Sequence, residues 1–399
     1  MEIRSVTLLC EPGIAPATAA GFFRAVQGAF AAPLQTRRVA LTPFPDWWDE
    51  ATAAAPQAAA VAARWRAAGA DYVSLGPVQL RHDAAYLRLL PDVLGVEGAV
   101  FASAEVAAGD GTIDVGRCAA IAGVVRAASA IEENGFGNLY FAALANCPPG
   151  APFFPVAYHG GGPPQFALAV EAADLAVTAF TEAASLPEAR RNLVDAIERE
   201  ASALSRSAER LAADHAITFH GIDFSLAPFP TEEKSLAGAM ERLGLPWVGA
   251  AGTLFAAAFI ADAIGRADFP RCGFSGLMLP VLEDSVLAAR AGAGQVSVND
   301  LLSLAAVCGV GLDTIPLPGD VSEESVHGIL LDVAALAVRL DKPLTARLMP
   351  LPGLAAGDPT RFDFPYFADS RVMAVAGSGV SRLLRQPSRV ALDRYAREG

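Results

Sequence analysis

Within CGVGLD, Cys308 to Asp313, a thiol, two glycines and a carboxylate share one short run, which continues as TIPLPGD to Asp320. A thiolate is a nucleophile, or a hydrogen-atom donor in radical chemistry, and glycines let a substrate approach it. The alternative is an inert Cys buried at a helix–strand junction, since free Cys is among the most buried residue types. Asp313 lies inside an otherwise apolar strand pattern, as does Asp223 in HGIDFSLAPFP, and Glu283 with Asp284 closes GFSGLMLPVLED from Gly273. A carboxylate in such a place must be paired, bound to a cation or turned toward a polar cavity. Carboxylates on different elements can converge on a divalent cation or divide acid and base work between them. Each one alone can equally cap a helix or pair with an arginine.

His159 precedes three glycines in YHGGG, where a backbone nest could hold an anion beside a proton donor, or where a loop simply exposes one His. Gly249 to Thr253, GAAGT, opens an Ala-rich helix and offers free N–H groups to a phosphate or carboxylate. It lacks the Lys of a phosphate-binding P-loop and the spacing of a dinucleotide fingerprint, so no nucleotide motif is present. The candidate set is Cys308, Asp313, His159 and Asp223 for catalysis, Ser225, Gly252, Thr253, Ser275 and Gly276 for ligand binding, and Glu283 with Asp284 for a divalent cation.

These residues need a frame. Apolar strand patterns at Ile3–Leu9, Arg38–Thr42, Tyr72–Leu75, Ala99–Ser103, Leu139–Leu144, Gln165–Val170, Ile217–Phe224, Gly276–Val281, Leu312–Leu317 and Thr345–Met349 alternate with helical ones. Continuous apolarity marks strands covered on both faces and paired in parallel, which gives a large doubly wound sheet or an α/β barrel. Pro187 in a first turn, Thr231 as an N-cap, Ser297 with Asp300, and Ser322 before two acids mark helix starts. No linker or repeat divides the 399 residues, so one domain over 1–399 is expected.

Composition narrows the function. With 53% apolar residues and a net charge of −13, the chain is compact and unsuited to nucleic acid or an anionic membrane surface. The five Cys are scattered without CxxC spacing, which fits a reducing compartment rather than a disulfide framework. The opening MEIRSVTLLC reads as a strand and not as a signal peptide, and no apolar stretch is long enough to span a bilayer. A cytoplasmic protein is expected.

Five segments, IDFSLAPFP (Ile222–Pro230), LGLPWVGAAGT (Leu243–Thr253), GFSGLMLPVLED, CGVGLD and RVMAVAGSG (Arg371–Gly379), follow one another in an order that resembles domain of unknown function family 711, also called uncharacterised protein family 0210. The resemblance implies a fold similar to the glycyl radical enzymes, a ten-stranded α/β barrel of two half-barrels. Those enzymes carry a Gly in an RVxGY-type loop and a Cys in a loop inside the barrel. Here Ala374 falls where that Gly would stand and no Tyr follows, so a glycyl radical is not expected. The resemblance also implies a small ACT-domain partner and amino-acid-like ligands. The expectation is an enzyme acting on a small polar carboxylate or amino-acid-like metabolite in a barrel interior. The alternative is a non-catalytic metabolite-binding or regulatory protein working with an ACT-domain partner. Self-association and a bound divalent cation stay open.

Overall fold

The computed structural model describes residues 1–49, 52–96 and 100–395. Its strands are β1 (Glu2–Cys10), β2 (Leu34–Leu41), β3 (Tyr72–Val78), β4 (Val100–Ala107), β5 (Thr112–Asp114) and β6 (Phe141–Ala145) in the first half. The second half supplies β7 (Gln165–Glu171), β8 (Thr218–Ala227), β9 (Gly311–Pro318), β10 (Leu344–Leu351) and the short β11 (Arg389–Ala391). All eleven belong to one sheet with the path β8-β7-β1-β2-β3-β4-β6-β10-β9, while β5 pairs with β4 and β11.

The pairing divides the sheet in two. β1, β2, β3, β4 and β6 run parallel to their neighbours, as β7 does to β8 and β9 to β10. The two sets meet antiparallel, β1 against β7 and β6 against β10. Continuous apolar sequence has the expected cause: every residue of β4 and of β10 is buried, because helices cover the sheet. The main apolar core runs from Ile3 to Met373. Among the described residues no helix is long and apolar enough to cross a membrane.

Several local expectations change. Gly276–Val281 is not a strand, although it holds isolated bridges to its surroundings: Met278 N donates to Ser225 O at 3.1 Å and Val281 N to Asp313 O at 3.0 Å. Pro280 has no N–H to give a ladder, and the backbone of Gly276 lies directly against Gly309, where a Cβ would meet its Cα at 2.6 Å. β2 starts at Leu34, before Arg38, and Leu139 belongs to a 3₁₀ stretch. Ala99 lies outside the described residues. The helix expected to start at Thr231 is Leu236–Arg242, capped by Ser235, whose hydroxyl accepts from Gly238 N. The long helix Leu186–His215, with Pro187 in its first turn, and the Ser297–Asp300 capping box stand as read from sequence.

Gly311, the last glycine of CGVGLD, opens β9 at φ +101°, and a Cβ there would lie 2.3 Å from Thr345 O on β10. A side chain would face both the left-handed penalty and a backbone clash inside a strand pair. Gly311→Ala should therefore destabilise the protein by roughly 2–4 kcal/mol in a denaturant titration. An unchanged midpoint would show that the β9–β10 junction is not built as described.

Candidate functional site

Arg4, Arg38 and Arg347 each sit in a strand whose remaining residues are largely apolar. The strands turn all three side chains into one cavity of about 100 Å³, lined also by Glu283 and Asp313. Phe153 and Phe154, from the connection between β6 and β7, and Phe364 and Tyr366, from the chain after β10, supply aromatic walls. That β6–β7 connection is anchored to inward-facing hydroxyls of the sheet. Thr7 Oγ1 donates to Pro152 O at 2.9 Å and Ser74 Oγ to Ala157 O at 2.7 Å.

Two of the carboxylates singled out in the sequence meet here. Arg347 Nε donates to Asp313 at 2.5 Å and its NH2 to Glu283 at 2.8 Å, while Arg4 reaches Glu283 at 3.2 Å and Glu171 at 3.3 Å. Burial pushes the Glu283 carboxyl upward against the pull of Arg347 and Arg4.

Arg38 is different. It is 8% exposed, its Nε donates to Thr36 Oγ1 at 2.9 Å, and among the described residues no carboxylate lies within ion-pair distance. Its guanidinium rests 5.1 Å from the Phe154 ring centroid and 5.8 Å from that of Tyr72. Burial and then the neighbouring Arg4 charge depress its pKa to about 9, the nearby charges of Tyr72 and Glu283 raising it and that of Arg347 lowering it. A buried cation facing a cavity with its terminal nitrogens unused is costly, and an anionic ligand would supply what the protein does not.

The other candidates serve elsewhere. Asp223 is fully buried and accepts from Ser225 Oγ at 2.5 Å, Phe274 N at 2.7 Å and Ser275 N at 2.9 Å. Gly276 N in turn donates to Ser225 Oγ at 3.2 Å. Asp223, Ser225, Ser275 and Gly276 thus come together, but as a joint that pins the loop after Cys272 to β8, and none of them lines the cavity. Asp284 accepts from Ser235 Oγ, Leu236 N and Ala237 N, and also from Val286 N and Leu287 N. Both its oxygens are committed to helix starts, so Glu283 and Asp284 diverge. Among the described residues no three His, Cys, Asp or Glu side chains form a metal-ligand group.

Cys308 is buried in the main core, and its carbonyl, with those of Ala305 and Ala306, accepts from Lys342 Nζ. Burial raises the thiols of Cys10 and Cys118 to about 12 and pushes Cys147 and Cys272 up as well. Gly252 is exposed and caps the helix Thr253–Arg266, while Thr253 is buried and its Oγ1 accepts from Gly249 N at 3.0 Å, so part of the expected anion cradle is closed upon itself. His159 lies near the C-terminal ends of β1 and β2, apart from the Arg38 cavity.

Reading the sequence for carboxylates alone missed the arginines. The signal was present: Arg4, Arg38 and Arg347 break apolar strand patterns in the same way as Asp313.

Comparison with known proteins places this chain among uncharacterised relatives. A family model described as Uncharacterised ACR (DUF711) matches residues 18–368. A UPF0210 protein of Pyrobaculum arsenaticum is 40% identical over 227 residues, 55% of this chain and 50% of that protein. A UPF0210 protein of Desulforudis audaxviator is 30% identical over 321 residues, 78% of this chain and 71% of its own. One of Methanopyrus kandleri is 32% identical over 289 residues, 69% and 63% of the two chains. The chain spans about half the length of the Pyrobaculum relative.

Burial raises the Asp223 pKa to about 6, against the hydrogen bonds it accepts. A carboxyl with a folded pKa above its unfolded value stabilises the fold fully below the unfolded value, and that contribution disappears as pH rises through the folded one. The stability of the wild type relative to Asp223→Asn should therefore fall between about pH 4 and pH 7, by on the order of 3 kcal/mol. Parallel urea titrations across that range check this; a constant difference would mean that Asp223 keeps an ordinary pKa.

Proposed function

This chain belongs to the uncharacterised DUF711 family, matched over residues 18–368, and from that premise we propose that it is an enzyme acting on a small carboxylate-bearing, amino-acid-like metabolite held beside Arg38, without a glycyl radical. The observation that carries the reading is the buried Arg38 guanidinium, which faces the cavity and, among the described residues, has no carboxylate within ion-pair distance. In this reading Arg38 takes the substrate carboxylate and the aromatic walls exclude water. Glu283, its proton affinity raised by burial, exchanges a proton with the substrate, while Arg347 and Asp313 hold it in place.

A closed ring and a single domain are part of the same proposal. The chain between Pro270 and Val281 lies between the two end strands, with Ile222 N donating to Pro270 O at 2.8 Å, Cys272 N to Ile222 O at 3.2 Å, and Val281 N to Asp313 O at 3.0 Å. It can act as an irregular tenth member joining β8 to β9, which would make two antiparallel half-barrels around the cavity. The absence of a radical step draws on three features. Ala374 replaces the expected Gly, Gly377 and Gly379 line an outer groove beside Val298 and Ser325, and the loop facing the cavity presents Phe153 and Phe154 in place of Cys. The second reading, a binding protein that works with an ACT-domain partner, draws on the exposed Trp247, Leu254 and Phe255 around the start of the helix Thr253–Arg266.

Replacing Arg38 separates a ligand anchor from a structural arginine. Arg38→Met removes a buried cation that has no ion-pair partner among the described residues, so thermal stability should hold or rise, as is common where function rather than folding retains a residue. Affinity for small monocarboxylates and amino acids in calorimetric titration should fall roughly 10- to 100-fold, the worth of a charge-assisted hydrogen bond. A large loss of stability, or carboxylate binding that is indifferent to the substitution, would sink the assignment. Binding of an amino acid without turnover would favour the partner-dependent reading.

A further inference from the structure

The Arg38 cavity touches the N-terminal parts of the parallel strands β1 to β4, through Arg4, Arg38, Tyr72 and Phe101. The opposite ends of those strands open on a different depression. One part, of about 690 Å³, is lined by Glu105 and Asp110; an adjoining part of about 550 Å³ is lined by Glu11, Asp46 and His159, and Arg81 and Tyr158 border both. Its charge is reversed relative to the first cavity. Glu11, Asp46, Glu105 and Asp110 share the lining with two guanidiniums, Arg81 and Arg389, and Arg117 stands near Glu105 behind it. Those two are already held, Arg81 by Asp46 and Arg389 by Asp114 at 3.0 Å.

Two buried groups here want donors. Glu105 is 8% exposed, and its oxygens accept from Gln79 Nε2 at 3.0 Å and Leu80 N at 2.9 Å. Both are uncharged donors; among the described residues no cation forms an ion pair with it. His159 is 1% exposed, and its Nε2 stands 3.3 Å from Gly162 O. A carbonyl can only accept, so Nε2 carries the hydrogen and Nδ1 is a bare acceptor, and in the structure Nδ1 has no partner.

We propose that this cleft is a second ligand site, which binds a small amine through its ammonium group at Glu105. An ammonium brings positive charge and three N–H donors to a buried carboxylate whose donors here are uncharged, and its hydrogen bond to a carboxylate is charge-assisted. A divalent metal is less suited, because it needs several oxygen ligands converging on one point. The site shares none of its named residues with the Arg38 cavity, so the two assignments stand or fall separately.

The test is calorimetric titration of the full chain with putrescine and with ethanolamine, using ethylene glycol as an uncharged probe and magnesium chloride as a metal probe. Both amines should bind and ethylene glycol should not. Glu105→Gln, which keeps the side-chain volume and one acceptor, should weaken amine binding at least ~10-fold, and Arg38→Met should leave it unchanged. If Glu105→Gln does not fold, Asp110→Asn and Glu11→Gln, at exposed positions of the same cleft, carry the test, with a loss of about 2- to 5-fold expected from each. Absence of amine binding at about 10 mM overturns the proposal. So does affinity unchanged in the carboxylate variants, or magnesium binding that is tighter than amine binding and equally dependent on Glu105.

Discussion

A chain of paired charges, most of them buried, ties the two halves of the sheet together. Lys234 pairs with Glu171 on β7, Glu171 with Arg4 on β1, Arg4 with Glu283, Glu283 with Arg347 on β10, and Arg347 with Asp313 on β9. It crosses the antiparallel seam between β1 and β7 and reaches the strand pair at the other end of the path. Glu171, Glu283, Arg347 and Asp313 are buried, Arg4 and Lys234 partly so, and each is compensated by neighbours contributed by other elements. Removing one would leave another charge buried and unmatched, which costs far more than an exposed pair contributes. Such a network holds its members in one arrangement, and the cavity wall inherits that rigidity. Arg38 lies beside the chain but outside it, and among the described residues it has no carboxylate within ion-pair distance.

Other polar groups at strand ends are joints. Asp223 ties the loop after Cys272 to β8, Asp284 caps two helix starts, and Lys342 closes the C-terminal turn of the helix Val298–Ala305 by donating to its last carbonyls and to that of Cys308. In each case backbone donors or acceptors left over at an element's end consume the side chain completely. A carboxylate saturated by N–H groups has no capacity left for a substrate. Cys308 belongs to the same joint, with its thiol in the apolar core.

The amino-acid sequence by itself determined the α/β class, because runs such as VFASAEVA and LTARLMPL are too apolar to be covered on only one face. It determined most strand positions and the helices with strong caps, Ser297 and Ser322 among them. It also marked Asp313 and Glu283 as groups in need of partners. Pro280 was a local warning that Gly276–Val281 would fail as a strand, but local pattern could not show the contact that completes the reason. That outcome follows from Pro280 and from the contact of Gly276 with Gly309, more than thirty residues away in sequence. Nor could it separate Asp223, Asp284 and Asp313, which look alike in sequence: two are satisfied by backbone N–H groups and the third by an arginine on the neighbouring strand. Only the tertiary structure decided that Asp313 and Glu283 are paired with arginines and that Arg38, among the described residues, has no carboxylate within ion-pair distance. Ionic pairing is fixed by distance between elements, and a sequence specifies the elements long before it specifies their spacing.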